Sequence, residues 1–350
     1  MVMRIKSLVV CLAAGMVLLG PVLGVEAAQA TSKKSTSGQA TPARSTPKAT
    51  YAATSANTRR AQLARARAGA RARELRDVQT PRFRVDEFGR EVPDVRAEAA
   101  IIYNPQTNEI LWQDHSQDQR SMASITKVMT ALVFLDSGAD VSMPVTVQWG
   151  DVSHASTTYL RAGYKLTADD LLNLLLVGSD NAAARALARV SPYGSDAFID
   201  KMNEKAQSLG LATTHYADPS GLLSENVSTA YDLARLIAYA AADERIGSVM
   251  RKASYTTYSG TRMISAHSTN QLVKTGDIDV LGGKTGFISR SGYCLATLLR
   301  LPDTGQQVAV VVLGAKSNAG RFWETRHLFN WLSSRNKSLV DGSEHQHDDN

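Results

Sequence analysis

The chain has 350 residues, 43% of them apolar and 21% charged, which suits one or two globular domains with polar appendages. Its net charge of +6 is unevenly spread: residues 31–76 hold eleven Lys or Arg against the single acid Glu74, so everything from residue 77 onward is net acidic. That distribution disfavours a globular nucleic-acid-binding domain, whose basic footprint would have to lie on the folded part, and no nucleic-acid partner is expected.

Arg4 and Lys6 precede an apolar run over 8–23, and Ala28-Gln29-Ala30 offers the small-x-small pattern of a cleavage site. Residues 1–30 therefore read as a signal peptide, with the periplasm as the expected destination. Gly15, Gly20 and Pro21 interrupt a stretch shorter than the ~20 residues a span needs. No later run is long enough, so no stable membrane anchor is expected. Cleavage would remove Cys11 and leave Cys294 without an intrachain partner. In its apolar stretch Cys294 reads as a buried small hydrophobe.

Residues 31–58 contain almost no large apolar side chains and read as a flexible tether. Residues 59–76 interleave Ala and Arg, which gives helix propensity without an apolar face, so 31–80 as a whole is expected to be a disordered basic linker. It is also a candidate to hold the protein near an anionic surface. Two short strands, 99–103 and 109–113, are joined by a turn-rich segment, and 124–136 has helical apolar spacing. Thr167 with Asp170 forms a capping box for a helix that Gly178 closes, another helix begins near Ala182, and Thr229 with Asp232 starts a third over 229–242. The middle, about 138–265, is thus expected to be a largely helical insertion. Strands follow over 278–288, 293–301 and 307–315, then an amphipathic helix over 321–332 and a polar tail over 336–350. Strands at both ends with helices between predict one sheet built from both ends of an 81–335 domain.

The chain lacks His-Glu-x-x-His and Gly-x-Ser-x-Gly. Gly283-Lys284-Thr285 mimics the end of a phosphate loop, but Ile278 stands where that loop needs glycine. What remains is Ser124-Ile125-Thr126-Lys127 opening a helix, Ser179-Asp180-Asn181 after a helix ends, and Lys284-Thr285-Gly286 leading a strand pair. Ser-x-x-Lys also occurs at Ser45 and Ser334, and Lys-Thr-Gly also at Lys274. Neither spare serine has a core helix to aim it, and Lys274 runs into the turn-like Gly276-Asp277. Ser124 and Lys127, three apart on a helix, share one face, so the lysine can deprotonate the serine. That requires a lysine near neutral, and a helix N-terminus, partial burial and a second ammonium such as Lys284 could together supply the shift. Ser179 and Asn181 can contact both this lysine and a substrate amide, Lys284 can receive a carboxylate, and Gly286 allows close backbone approach.

With these motifs, and with Ala123 to Ala131, Asp218-Pro219-Ser220-Gly221-Leu222, Ser228 to Ala234 and Gly283 to Phe287, the sequence resembles the penicillin-recognising serine peptidases. Within them it is most similar to the low-molecular-mass D-alanyl-D-alanine carboxypeptidases and endopeptidases. The resemblance implies an α+β fold, an antiparallel sheet flanked by helices with an inserted helical subdomain. It implies Ser124 as the acylated nucleophile, Lys127 as its base, and Ser179 and Asn181 for proton transfer and alignment. It also implies Lys284 and Thr285 for the substrate carboxylate, with an oxyanion hole from the backbone N–H groups of Ser124 and Phe287. Peptidoglycan peptides as substrates, β-lactams as inhibitors, and no cofactor or metal follow from the same source. Carboxypeptidase members usually add a β-rich domain and an anchoring helix, so this chain looks more like the penicillin-binding protein 7 type of endopeptidase. A serine β-lactamase is the alternative, although no Glu-x-x-Leu-Asn stretch lies between Asn181 and Lys284. A non-catalytic wall-binding protein is the alternative of another class.

Overall fold

A computed structural model of the chain describes residues 49–344. The expected signal peptide, the first part of the expected linker and the end of the polar tail lie outside the described residues. The chain divides between Ala61 and Gln62 into two units. Described residues of the first belong to helix α1 (Ala49–Gln79), which continues into the second. A helix here differs from the disordered linker expected: the high intrinsic propensity of alanine and arginine, summed over many residues, favours it even without an apolar face. Residues 59–70 are all exposed.

The sheet joins both ends of the second unit. Strands β1 (Ala99–Asn104) and β2 (Glu109–Asp114) meet β3 (Asp279–Ile288), β4 (Gly292–Arg300) and β5 (Gln307–Ala315) in the order β3-β4-β5-β1-β2, with every neighbour antiparallel. Its central strands read as near-continuous apolar runs because both faces are covered. Ala309, Val311 and Leu313 join Ala99 and Ile101 in one core, while Val308, Val310 and Val312 join Ala100 and Ile102 in the other, the two-residue alternation of a strand.

The first core lies against α2 (Lys127–Asp136), α3 (Ala168–Val177), α4 (Asn181–Val190) and α5 (Ala230–Ala242). The second lies under α6 (Asn318–Glu344), which contributes Phe322, Leu328, Phe329 and Leu332. Both cap signatures act as the sequence predicts: Asp170 N donates to Thr167 Oγ1 at 3.0 Å and Asp232 N to Thr229 Oγ1 at 3.1 Å. The insertion is not purely helical. Pro144–Thr146 pairs with Lys165–Thr167, and Ser254–Ser259 with Arg262–His267. The latter hairpin is rich in Ser, Thr and Tyr and only half-buried, so it carries little apolar alternation to read. Helix α6 runs on past the expected 332 into the polar tail. Among the described residues no helix is long and apolar enough to cross a membrane.

Candidate active site

Ser124 sits in a single 3-10 turn, Ala123–Thr126, that runs directly into α2. In such a turn residues three apart eclipse, which brings Lys127 back over Ser124 more tightly than the expected α-helical start would. Lys127 Nζ donates to Ser124 Oγ at 3.0 Å. Ala123 enters the turn with φ +48°, a left-handed conformation that costs a non-glycine residue energy. The constraint comes from Gly221, itself at φ +78°, where a Cβ would lie 2.1 Å from the Ala123 carbonyl oxygen. Only glycine fits a backbone pressed that closely. Asp218 holds this loop in place, accepting from the N–H groups of Ser220 (2.6 Å), Gly221 (2.8 Å) and Leu223 (2.7 Å).

The second motif is a turn between two helices. Gly178 closes α3, Ser179 takes φ +59°, and Asp180 caps α4 by accepting from Ala183 N at 2.9 Å. Asp180 is buried and also accepts from Tyr159 N at 2.6 Å and Thr158 Oγ1 at 3.0 Å. Its role is to fix the turn that aims its neighbours. Asn181 Oδ1 accepts from Lys127 Nζ at 2.6 Å, and Asn181 Nδ2 donates to the Ala155 carbonyl at 2.6 Å. Ser179 Oγ meets the other lysine, accepting from Lys284 Nζ at 2.8 Å. The two residues thus divide between the lysines, where the sequence reading sent both to Lys127.

Lys284 stands opposite Ala296 in the β3–β4 register, and Ala296 points into the core beneath the helical insertion, so Lys284 faces the same side. Its Nζ also donates to the Thr285 carbonyl at 2.8 Å, while Thr285 Oγ1 donates to Thr269 Oγ1 at 2.6 Å. Gly286 packs against the Ser124 turn: a Cβ there would lie 2.6 Å from the Met122 carbonyl oxygen and 3.2 Å from Ser124 N. Phe287 is exposed and stacks on Tyr293 with ring centroids 4.3 Å apart. Lys274, by contrast, is exposed at the end of the short helix Gln271–Thr275, Ser334 is exposed on α6, and Ser45 lies outside the described residues.

Three contributors escaped sequence reasoning. The Ser220 carbonyl accepts from Lys127 Nζ. Arg185 acts on Lys127 through its charge. Arg321, buried on α6, donates to the carbonyls of Gly286 (2.9 Å) and Cys294 (3.1 Å), which face each other across β3 and β4. The Asp218-to-Leu222 motif was a signal for the first; nothing in the local sequence marked the two arginines.

Lys127 is wholly buried, and burial is the largest reason its pKa falls to about 7; Arg185 pushes the same way, against Asp218 and Asp180. Burial also leads for Lys284, held well below the usual lysine range with Lys127 and Arg321 adding like-charge repulsion. Partial burial beside a second ammonium was the expected cause; full burial dominates instead. A neutral amine has two N–H donors and one lone pair. With Asn181 Oδ1 and the Ser220 carbonyl taking the donors, the lone pair faces the Ser124 hydroxyl, which then donates to Nζ.

These groups border a cleft of about 410 Å³ whose wall includes Ser124, Ser179, Asn181, Thr285, Phe287 and Arg321. Among the described residues lining it there is no carboxylate. Glu204 is paired with Lys201 at 2.6 Å on an exposed helix face, and Glu225 lines a different cavity. The glutamate-activated water that the β-lactamase alternative requires has no candidate there.

The sequence profile described as D-alanyl-D-alanine carboxypeptidase matches residues 86–317. The D-alanyl-D-alanine endopeptidase of Escherichia coli K12 is 32% identical over 246 residues, covering 69% of this chain and 79% of that protein. Among solved structures, the Streptomyces K15 DD-transpeptidase matches with TM-score 0.64 at 28% identity, covering 68% of this chain and 97% of that one. A D-alanyl-D-alanine carboxypeptidase from Mycobacterium tuberculosis H37Rv matches with TM-score 0.63 at 27% identity, covering 69% and 92% respectively. The α+β architecture, the antiparallel sheet flanked by helices and the sequence matches agree, and the chain belongs to the D-alanyl-D-alanine carboxypeptidase family of serine peptidases.

Proposed function

We propose that the chain is an exported endopeptidase and carboxypeptidase that hydrolyses D-alanyl peptide bonds in peptidoglycan through an acyl-enzyme on Ser124, and that β-lactams acylate the same serine. The observation that carries this reading is the fully buried Lys127, poised near neutrality with its Nζ 3.0 Å from Ser124 Oγ. Ser124 Oγ attacks the scissile carbonyl while its proton passes to Lys127 Nζ, a general-base contribution of about 10² to 10⁴ in rate. The backbone N–H groups of Ser124 and Phe287 receive the oxyanion; one such donor is typically worth ~10² to 10³. The proton on Lys127 then leaves with the departing amine, Ser179 and Asn181 aligning that group, and water attacks the ester with Lys127 again as base. Lys284 and Thr285 take the carboxylate on the leaving side.

The direct test is to incubate the full chain with a D-alanyl-D-alanine pentapeptide and with a cross-linked peptide dimer, following both by mass spectrometry. Cleavage of the dimer into monomers, with or without release of D-alanine, is expected; an enzyme that leaves both intact overturns the reading.

The exposed arginines of α1, including Arg59, Arg60, Arg65 and Arg67, support a second role for the arm, contact with anionic wall polymer. Salt-sensitive binding to sacculi that disappears when these are changed to glutamine is its test.

A further inference from the structure

Arg321 reaches the cleft from α6, is only 7% exposed, and has no carboxylate paired with it among the described residues. The reaction steps above give it no part. A cation held away from water without a counter-ion is costly, and burial pulls its pKa down to about 10. Its surroundings nevertheless fix it in one place. The guanidinium carbon lies 5.5 Å from the Tyr293 ring centre and 5.0 Å from that of Phe322, and Asn318 Oδ1 accepts from Nη2. Tyr293 in turn carries the stacked ring of Phe287.

Nη1 donates to the carbonyls of Gly286 (2.9 Å) and Cys294 (3.1 Å), which stand opposite each other on β3 and β4. One atom meets both only if the Gly286 carbonyl points toward β4. That carbonyl and the Phe287 N–H belong to one planar trans peptide and so point in opposite directions. The Phe287 N–H therefore points away from β4, at the unpaired outer edge of the sheet, where Phe287 lines the cleft. A Cβ at Gly286 would lie 3.2 Å from Ser124 N, so the two N–H groups proposed to receive the oxyanion are close neighbours.

A guanidinium bonded to a peptide oxygen draws electron density toward that oxygen, which makes the N–H of the same peptide a stronger donor. It also fixes the tilt of the peptide plane. We infer that Arg321 is a positioning residue for the oxyanion site, orienting and polarising the Gly286–Phe287 peptide from behind without touching substrate. The competing role, capture of a substrate carboxylate, does not fit its donors. Both Nη1 protons are committed and Nε is buried without a partner, so neither side of the fork offers the paired donors a carboxylate takes. The inference rests on the acyl-enzyme reading above.

Benzylpenicillin labelled isotopically at its β-lactam carbonyl tests it on the full chain, because that carbonyl becomes the acyl-enzyme ester held by the oxyanion donors. Losing one such donor typically costs ~10² to 10³, so loosening one should cost less: Arg321→Gln should lower the acylation rate constant about 10-fold at unchanged penicillin affinity. Its ester carbonyl band, read by infrared difference spectra, should move to higher wavenumber. Arg321→Lys keeps a cationic donor and should recover to within about threefold of wild type. If Arg321→Gln does not fold, Asn318→Ala, at an exposed position, loosens the guanidinium and should move rate and band the same way by less. An unchanged band overturns the inference, as does weaker penicillin binding at an unchanged rate constant, which would mean carboxylate capture. A rate loss that alkali restores would place the effect on the lysines and overturn it too. A wild-type chain that penicillin does not acylate overturns the peptidase reading first, and this inference with it.

Discussion

Lys127 Nζ lies 2.6 Å from Asn181 Oδ1, and this contact, with the Ser220 carbonyl on another side, leaves one direction of the amine open toward Ser124. The second motif therefore acts on the first as an acceptor that orders the lysine's protons. A neutral amide accepts without holding the amine charged, which an anion at the same place would do.

Asn181→Asp tests that distinction. A carboxylate at this distance would favour protonated Lys127, so acylation at pH 7 should fall at least ~10²-fold and recover partly in alkali. The rate of penicillin acylation from pH 6 to 10 reads the change. An ascending limb that stays where wild type has it would contradict the arrangement.

The buried lysine also makes stability depend on pH. Its pKa is about 7 in the folded chain, below the ordinary ~10.4 of the unfolded one, so between those values the unfolded state binds more protons and stability rises with pH. Below pH 7 the full penalty for burying the ammonium is present. Lys127→Met removes it, and should stabilise the protein near pH 6.5 by at most about 5 kcal/mol, reduced by the acceptors it leaves unpaired. Near pH 9.5 the gain should be much smaller. Denaturant unfolding of both proteins at the two pH values is the measurement, and an equal gain at both would show that the charge is not the cause.

Gly286→Ala addresses the contact between the sheet and the Ser124 turn. The added Cβ would lie 2.6 Å from the Met122 carbonyl oxygen, so β3 or the turn must move by several tenths of an ångström. Since small misplacement of reacting groups can cost ~10²-fold, acylation should fall by about that factor. The edge position of β3 should spare the fold. Near-normal acylation with an unchanged melting temperature would contradict the close fit.

Much of this was legible in the sequence because the signals are local. The capping box at Thr167 and the N-cap at Thr229 set helix starts, the near-continuous apolar runs over 293–301 and 307–315 report strands covered on both faces, and the pair Ser124 and Lys127 needs only a helical turn. What escaped depends on tertiary contact. Arg321 reaches Gly286 from 35 residues away, and Gly221 meets Ala123 across nearly a hundred positions, relationships that no window of sequence contains. The 3-10 turn before α2 leaves no mark in the sequence for a different reason: residues three apart share a face in both α and 3-10 geometry, so spacing alone does not separate them.

The duplicated Lys-Thr-Gly motif gives a paired comparison. Lys284 is buried beside Ser179, whereas Lys274 is exposed. Lys284→Ala should slow acylation at least ~10-fold through loss of a charge-assisted contact, and Lys274→Ala should stay within about twofold. The larger loss at Lys274 would mean that the third motif has been placed on the wrong strand.

The central claim, that Ser124 is the acylated nucleophile activated by Lys127, is tested most directly by mass spectrometric mapping of the penicillin adduct on the full chain. A single lasting adduct should appear on Ser124, be absent from Ser124→Ala, and form at least ~10²-fold more slowly in Lys127→Met. An adduct on Ser45, Ser179 or Ser334, or labelling that survives Ser124→Ala, would contradict the account.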